Sequence, residues 1–334
     1  MNRQILLAAR PVGFPKETDF RLHEAPIPEP GEGEFLVGVR WLSVDPYMRG
    51  RMNEQRSYAP SVNLGEVMVG GAAGRVLRSR HPGFAEGEYV MGMFGWQEYA
   101  VSNGAGVRKV DPAVAPVSTS LGVLGMPGLT AYFGLLTVGE AKAGETVVVS
   151  GAAGAVGSYV GQIAKIHGCR VVGIAGSDDK VRWLKDDLGF DAVLNYKSVT
   201  DYRSALKELC PNGIDVYFEN VGGPISDAAF LLLNSRARVP VCGQVALYSA
   251  EQPEMGPRLL MQVLVKQVKV EGFLVFQFAN RYEEGLTKLT EWVRSGQLKY
   301  KETVTDGIEN APQAFLSMLR GGNTGKQLVR ISKA

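Results

Sequence analysis

The stretch Thr146-Val147-Val148-Val149-Ser150-Gly151-Ala152-Ala153-Gly154-Ala155-Val156-Gly157-Ser158 decides the fold. The apolar run at its start reads as a buried strand. The small residues that follow read as a tight turn, and Val156 to His167 as a helix with apolar residues at three-to-four spacing. The register is G-x-G-x-x-G with Ala152 in the first glycine's place. Gly154 lets the backbone approach a pyrophosphate, and Gly157 lets the helix pack closely on the strand. The helix N-terminus supplies N–H groups and a partial positive charge. A glycine pattern alone is weak, but one set between a strand and a helix has the context the motif requires.

Working outward, the same rhythm repeats. Strands are expected at Thr146-Val149, Val171-Ala175, Ala192-Leu194, Val216-Phe218, Arg238-Val241 and Val268-Phe273, with helices such as Lys180-Leu188 and Asp201-Leu209 between them. That alternation predicts an α/β fold, a doubly wound parallel sheet of Rossmann type. Before it the pattern is β-rich: Phe35, Val37 and Val39 alternate, and strand-like runs follow at 70–77, 88–93 and 96–101. The last 34 residues return to a mixed pattern, with a strand near Thr303, a helix from Ala311 to Leu319 and a strand at Leu328-Ile331. The expected domains are a β-rich one over 1–122, a dinucleotide-binding one over 123–300, and a return of 301–334 to the first.

Composition narrows the function classes. A length of 334 residues suits about two domains at roughly 150 residues each. Its 36 basic and 34 acidic residues leave a net charge of +2 with no basic stripe, so a nucleic-acid partner is not expected. Cys169, Cys210 and Cys242 are odd in number and widely spaced, which argues for reduced thiols and a cytoplasmic chain rather than a disulfide framework. The apolar run at Ile5-Ala9 is too short for a leader core or a membrane span. The uncharged segment 112–139 holds three prolines and five glycines, and reads as a buried interdomain segment rather than a transmembrane helix.

The corner after the second strand of the parallel sheet selects the dinucleotide. Gly176 and Ser177 occupy it and Lys180 follows within one turn, which suits a 2′-phosphate better than a free ribose diol. Asp178 and Asp179 oppose that reading unless they face outward as helix-capping residues. A zinc site is not expected, since the chain has only His23, His81 and His167 and no C-x-x-C. No G-x-S-x-G elbow is present either.

The order of parts resembles the medium-chain dehydrogenase/reductase superfamily. Asp45-Pro46-Tyr47-Met48-Arg49-Gly50, Gly125 to Gly134, Ala152 to Ser158, Gly176 to Lys180, Glu219-Asn220-Val221-Gly222-Gly223 and Gly322-Asn323-Thr324-Gly325-Lys326 resemble its zinc-free branch. That branch contains prostaglandin reductases, alkenal double-bond reductases and bacterial curcumin reductases. The segments 234–243 and 306–312 are most similar to the curcumin reductase subgroup. Zinc-dependent members carry a Cys ligand near Ser43-Val44-Asp45 and Gly-His-Glu near Gly65-Glu66, and this chain has neither.

The resemblance implies a GroES-like β-rich domain, NADP as cofactor and a homodimer. It places the pyrophosphate on Gly154, Ala155, Val156 and Gly157, and the 2′-phosphate among Ser177, Lys180 and Tyr196. It puts Asn220, Cys242 and Asn323 on further cofactor contacts, and gives the nicotinamide carboxamide the backbone of a strand Phe273-Leu274-Val275. Tyr248 matches a tyrosine over the nicotinamide and Tyr47 one lining the substrate cleft. The implied activity is NADPH-dependent reduction of the C=C bond of an unsaturated aldehyde or ketone. Quinone reduction or reversible alcohol oxidation on the same scaffold, and NADPH binding without turnover, stay open at this level.

Overall fold

Two compact units make up the chain, Met1–Gly122 with Glu302–Ala334, and Val123–Lys301. The computed structural model describes residues 1–54 and 57–331, so the last three residues of the segment 301–334 lie outside the described residues.

In the first unit, β1 (Asn2–Leu7) and β2 (Phe20–Ala25) form an antiparallel pair. β3 (Phe35–Ser43), β4 (Ala72–Ser79), β5 (Tyr89–Gly92), β6 (Tyr99–Ser102) and β7 (Arg108–Val110) belong to a seven-stranded sheet that two C-terminal strands complete. A one-turn helix, α1 (Met48–Arg51), lies between β3 and β4. The alternation in β3 sends Phe35, Val37 and Val39 into the core. There Trp96 stacks on Phe20 at 5.7 Å between ring centroids and meets Phe315 edge-on at 5.9 Å, the two geometries that aromatic quadrupoles favour.

The second unit opens with α2 (Met126–Phe133), which continues as a wider π turn through Val138. Among the described residues no helix is long and apolar enough to cross a membrane. Strands and helices then alternate: β8 (Thr146–Val149), α3 (Ala155–Ile166), β9 (Arg170–Ala175), α4 (Asp178–Arg182), β10 (Ala192–Asn195), α5 (Tyr202–Leu209), β11 (Ile214–Phe218), α6 (Gly223–Leu231), β12 (Leu233–Val241), α7 (Leu260–Val265) and β13 (Lys269–Gly272). All neighbours in the sheet are parallel, in the order β10-β9-β8-β11-β12-β13. This is the doubly wound order whose direction reverses between β8 and β11, and ligands bind at such a reversal, beyond the carboxyl ends of the strands. The helix α8 (Tyr282–Arg294) ends the unit, and β14 (Glu302–Asp306), α9 (Ala311–Leu319) and β15 (Lys326–Arg330) return to the first. β15 pairs with β3 antiparallel and with β14 parallel.

One expected strand is corrected. Leu274 and Val275 do not continue the sheet: β13 stops at Gly272, the Phe273 N–H still donates to the Val241 carbonyl at 3.3 Å, and Val275 begins a 3₁₀ helix that runs to Arg281. The Leu274 N–H donates to the Gln277 side chain at 3.0 Å, so the backbone turns here instead of offering that amide to a ladder.

Candidate dinucleotide site

The glycine turn at the end of β8 is built from close backbone contacts. Gly151 has φ of +59°, a left-handed conformation that glycine adopts without a Cβ penalty. A Cβ on Gly157 would lie 2.8 Å from Ala152 Cα and closer still to the Gly151 carbonyl oxygen, so any side chain here would force α3 off the turn. A Cβ on Gly154 would meet only the Gly151 carbonyl oxygen, at 3.3 Å. Gly154 is the N-cap of α3, and no side chain caps this end. The amides of its first turn, including Ala155 and Val156, are those an α-helix leaves without intrahelical partners. This turn fits a pyrophosphate.

At the end of β9, the Ser177 side chain caps α4 by accepting from the Lys180 N–H at 3.4 Å. The Lys180 ammonium is held below its ordinary pKa by burial and by the neighbouring Lys197. Tyr196 closes the corner: a Cβ on Gly176 would come within 2.8 Å of its ring and hydroxyl. The cap is Ser177 and neither acid, and both acids have other partners. Asp178 accepts from Asn195 Nδ2 at 2.7 Å, and Asp179 pairs with Arg182 on the surface. The corner therefore brings together a hydroxyl and a phenol, with Lys180 one turn along α4 and Lys197 next after Tyr196, residue types that suit a phosphate monoester. Lys197 was not singled out from the sequence, although it directly follows Tyr196.

Across the sheet, the ends of β11 and β12 carry a hydrogen-bonded cluster. Asn220 donates from its backbone to Ser150 Oγ at 2.8 Å and from Nδ2 to the Ser150 carbonyl at 2.7 Å. Cys242 is a half-buried free thiol whose pKa desolvation, then the charge of Glu219, pushes up to about 12. Val245 and Ala246 N–H groups donate to the Asn220 and Val221 carbonyls at 3.2 and 2.9 Å, which carries the chain round to Tyr248. The Tyr248 hydroxyl points back over Gly243, where a Cβ would sit 3.2 Å from it. Phe273 is buried and meets Phe218 edge-on at 6.2 Å, while Val275 opens the 3₁₀ turn described above. Glu219, buried at the centre of this cluster, was not among the expected site residues.

In the first unit Tyr47 immediately precedes α1. Burial and the Asp45 carboxylate push its phenol well above the ordinary range, against a smaller opposite pull from the Gly71 N–H. Asp45 is itself buried and pairs with Lys326 Nζ at 3.0 Å. Asn323 lies in the loop before β15, its Nδ2 donating to the Gly325 carbonyl at 2.8 Å. Among the described residues no three His, Cys, Asp or Glu side chains come together as a metal would need.

Two family models match the chain, one for the N-terminal domain of oxidoreductases over residues 3–110 and one described as zinc-binding dehydrogenase over 155–292. The NADPH-dependent curcumin reductase of Escherichia coli (strain K12) is 46% identical over 99% of this chain and 97% of its own. The NADP(+)-dependent 2-alkenal reductase of Nicotiana tabacum is 42% identical over 99% of this chain and 98% of its own. The crystal structure of CurA from Vibrio vulnificus in complex with NADPH superposes with a TM-score of 0.95 at 46% identity, covering 99% of this chain and 100% of that one.

Proposed function

The chain belongs to the zinc-free branch of the medium-chain dehydrogenase/reductase family, and from that premise we propose that it is an NADPH-dependent reductase of the C=C bond of α,β-unsaturated aldehydes and ketones. The observation that carries the cofactor is the β9 corner, where Tyr196 lies against Gly176 beside the Ser177 cap and Lys180 follows within one turn. A hydroxyl, a phenol and a nearby lysine suit a 2′-phosphate better than a free ribose diol. The substrate class rests on the full-length likeness to the curcumin and alkenal reductases.

Gly154, Ala155, Val156 and Gly157 would hold the pyrophosphate, and Ser177, Lys180 and Tyr196 the 2′-phosphate. Asn220, Cys242, Asn323, Phe273 and Val275 would make the further contacts, the last two through backbone groups outside any strand. When bound, NADPH supplies the hydride that reaches the β-carbon. Tyr248 is assigned as the hydrogen-bond donor to the substrate carbonyl oxygen, where negative charge builds as the double bond is reduced. Tyr47 is assigned to substrate binding on the family resemblance alone. The residues 1–122 and 301–334 are assigned to the substrate and 123–300 to the cofactor.

A homodimer is the proposed assembly. β13 is an edge of the six-stranded sheet, and Leu260, Met261, Leu264 and Val265 just before it in the chain are all exposed. An unpaired strand edge beside an apolar face suits pairing with a second copy of this chain. Sedimentation velocity of the wild type should show a species of twice the chain mass. Three free cysteines suit the reducing cytoplasm. The deciding experiment for the activity is NADPH consumption across enals, enones, quinones and secondary alcohols, with product mass showing which bond was reduced. Saturation of C=C in enones is the expected result, and turnover confined to quinones or alcohols sinks the proposal.

A further inference from the structure

We infer that Glu219 is a positioning residue that holds in register the loops receiving the half of NADPH away from the 2′-phosphate. The inference rests on the NADPH reading above.

Glu219 follows β11 directly and is 1% exposed. Its Oε1 accepts from Ser150 Oγ at 2.7 Å, from the Val221 N–H at 2.7 Å and from the Gly222 N–H at 3.0 Å. Its backbone carbonyl accepts from the Cys242 and Gly243 N–H groups at 2.9 and 3.2 Å. One residue thus ties together the turn after β8, the loop after β11 and the loop after β12.

A buried carboxylate is costly, and for packing alone a neutral side chain would be cheaper. The partners of Oε1 are the buried Ser150 hydroxyl and two backbone amides of the loop after β11. Hydrogen bonds to an ionised acceptor are roughly twice as strong as neutral ones, so the charge stiffens those loops. Its Oε2 is buried without a hydrogen bond of ordinary geometry, and the buried Tyr217 phenol interacts with the same carboxylate.

A doubly wound sheet receives one mononucleotide half on each side of its reversal point. Ser177 and Tyr196 stand at the ends of β9 and β10, on one side of β8. Of the three segments that Glu219 joins, two follow β11 and β12 on the other side, and the third is the turn after β8 at the reversal itself. Loss of the charge should therefore weaken one half of the cofactor's binding and spare the other.

The test compares two ligands. NADPH is titrated by its fluorescence, and adenosine 2′,5′-bisphosphate, which carries only the phosphate-bearing adenosine half, by calorimetry. E219Q, which keeps the shape and one carbonyl oxygen, should raise the Kd for NADPH about tenfold and change that for the bisphosphate less than twofold. Glu219→Asp should recover part of the NADPH affinity. Equal losses for both ligands would mark plain fold damage and overturn the inference, as would an unchanged NADPH affinity. Should E219Q fail to fold, S150A removes one donor to the same oxygen and must give the same split in weaker form. Its absence overturns the inference. Wild type binding neither ligand is a separate outcome that sinks the cofactor reading, and this inference with it.

Discussion

The ring of Tyr196 rests against Gly176 so closely that a methyl group on that glycine would come within 2.8 Å of the phenol oxygen. The glycine makes room for the phenol at the corner that Ser177 opens and Lys180 flanks.

That corner predicts cofactor preference. Lys180→Ala removes one charge-assisted contact to a phosphate that NADH lacks, at a cost of about 1.5–3 kcal/mol, or one to two decades in affinity. The Michaelis constant for NADPH should rise by that amount while the constant for NADH hardly moves. Equal constants for the two cofactors in wild type would falsify the phosphate assignment.

Tyr248→Phe should slow hydride transfer to an enone by about tenfold to a hundredfold and leave NADPH affinity nearly intact. Removing a hydrogen-bond donor from a developing oxyanion costs about 10²–10³ in rate when nothing compensates, and a second donor from the bound cofactor's ribose would hold the loss to the lower end. Single-turnover oxidation of bound NADPH measures the step directly. An unchanged rate makes Tyr248 a packing residue.

Exhaustive chelation should leave turnover unchanged. Zinc catalysis needs three or four converging ligands, and among the described residues none converge. Elemental analysis alongside the assay checks this, and stoichiometric zinc whose removal stops turnover contradicts it.

Asp45→Asn should destabilise the chain by about 3–5 kcal/mol, because it leaves the buried Lys326 ammonium without its counter-charge. The ammonium keeps the Val44 and Gln327 carbonyls, at 2.8 and 2.9 Å, and an uncharged amide oxygen in place of the carboxylate, with Glu302 the other anion acting on it. Urea unfolding compares the two proteins. A loss under 1 kcal/mol is the result expected only if water reaches Lys326 in the mutant.

Acid should reveal Asp191. Burial alone would raise its pKa, but the Lys165 ammonium, the Val171 N–H and Arg170 together hold it below the ordinary aspartate value. A depressed carboxylate stabilises the fold above about pH 4, and that contribution disappears as pH falls through the folded-state value. Asp191→Asn should therefore cost ~1 kcal/mol at pH 7. The difference in Tm between wild type and mutant should close toward pH 3, and a gap that stays constant with pH contradicts the assignment.

The strand, turn and helix from Thr146 to Ile166 were legible in the sequence because their causes are local. Apolar runs, helical spacing and the glycine positions act within a few residues of one another. The same holds for α9, whose Ala311–Leu319 span follows from its own period. The end of β13 was not legible, since Phe273 and Leu274 look like strand residues until the Gln277 side chain takes the Leu274 amide. Nor could spacing show that Lys326 would meet Asp45, 281 residues earlier in the chain, or that Glu219 would join three loops. A charged residue in a strand reads as exposed until a distant partner makes its burial bearable, and that partner is chosen by the order in which strands pair. The sequence by itself determined the elements and the phosphate-binding turn. Strand order, through long-range pairing, decided which side chains share a site.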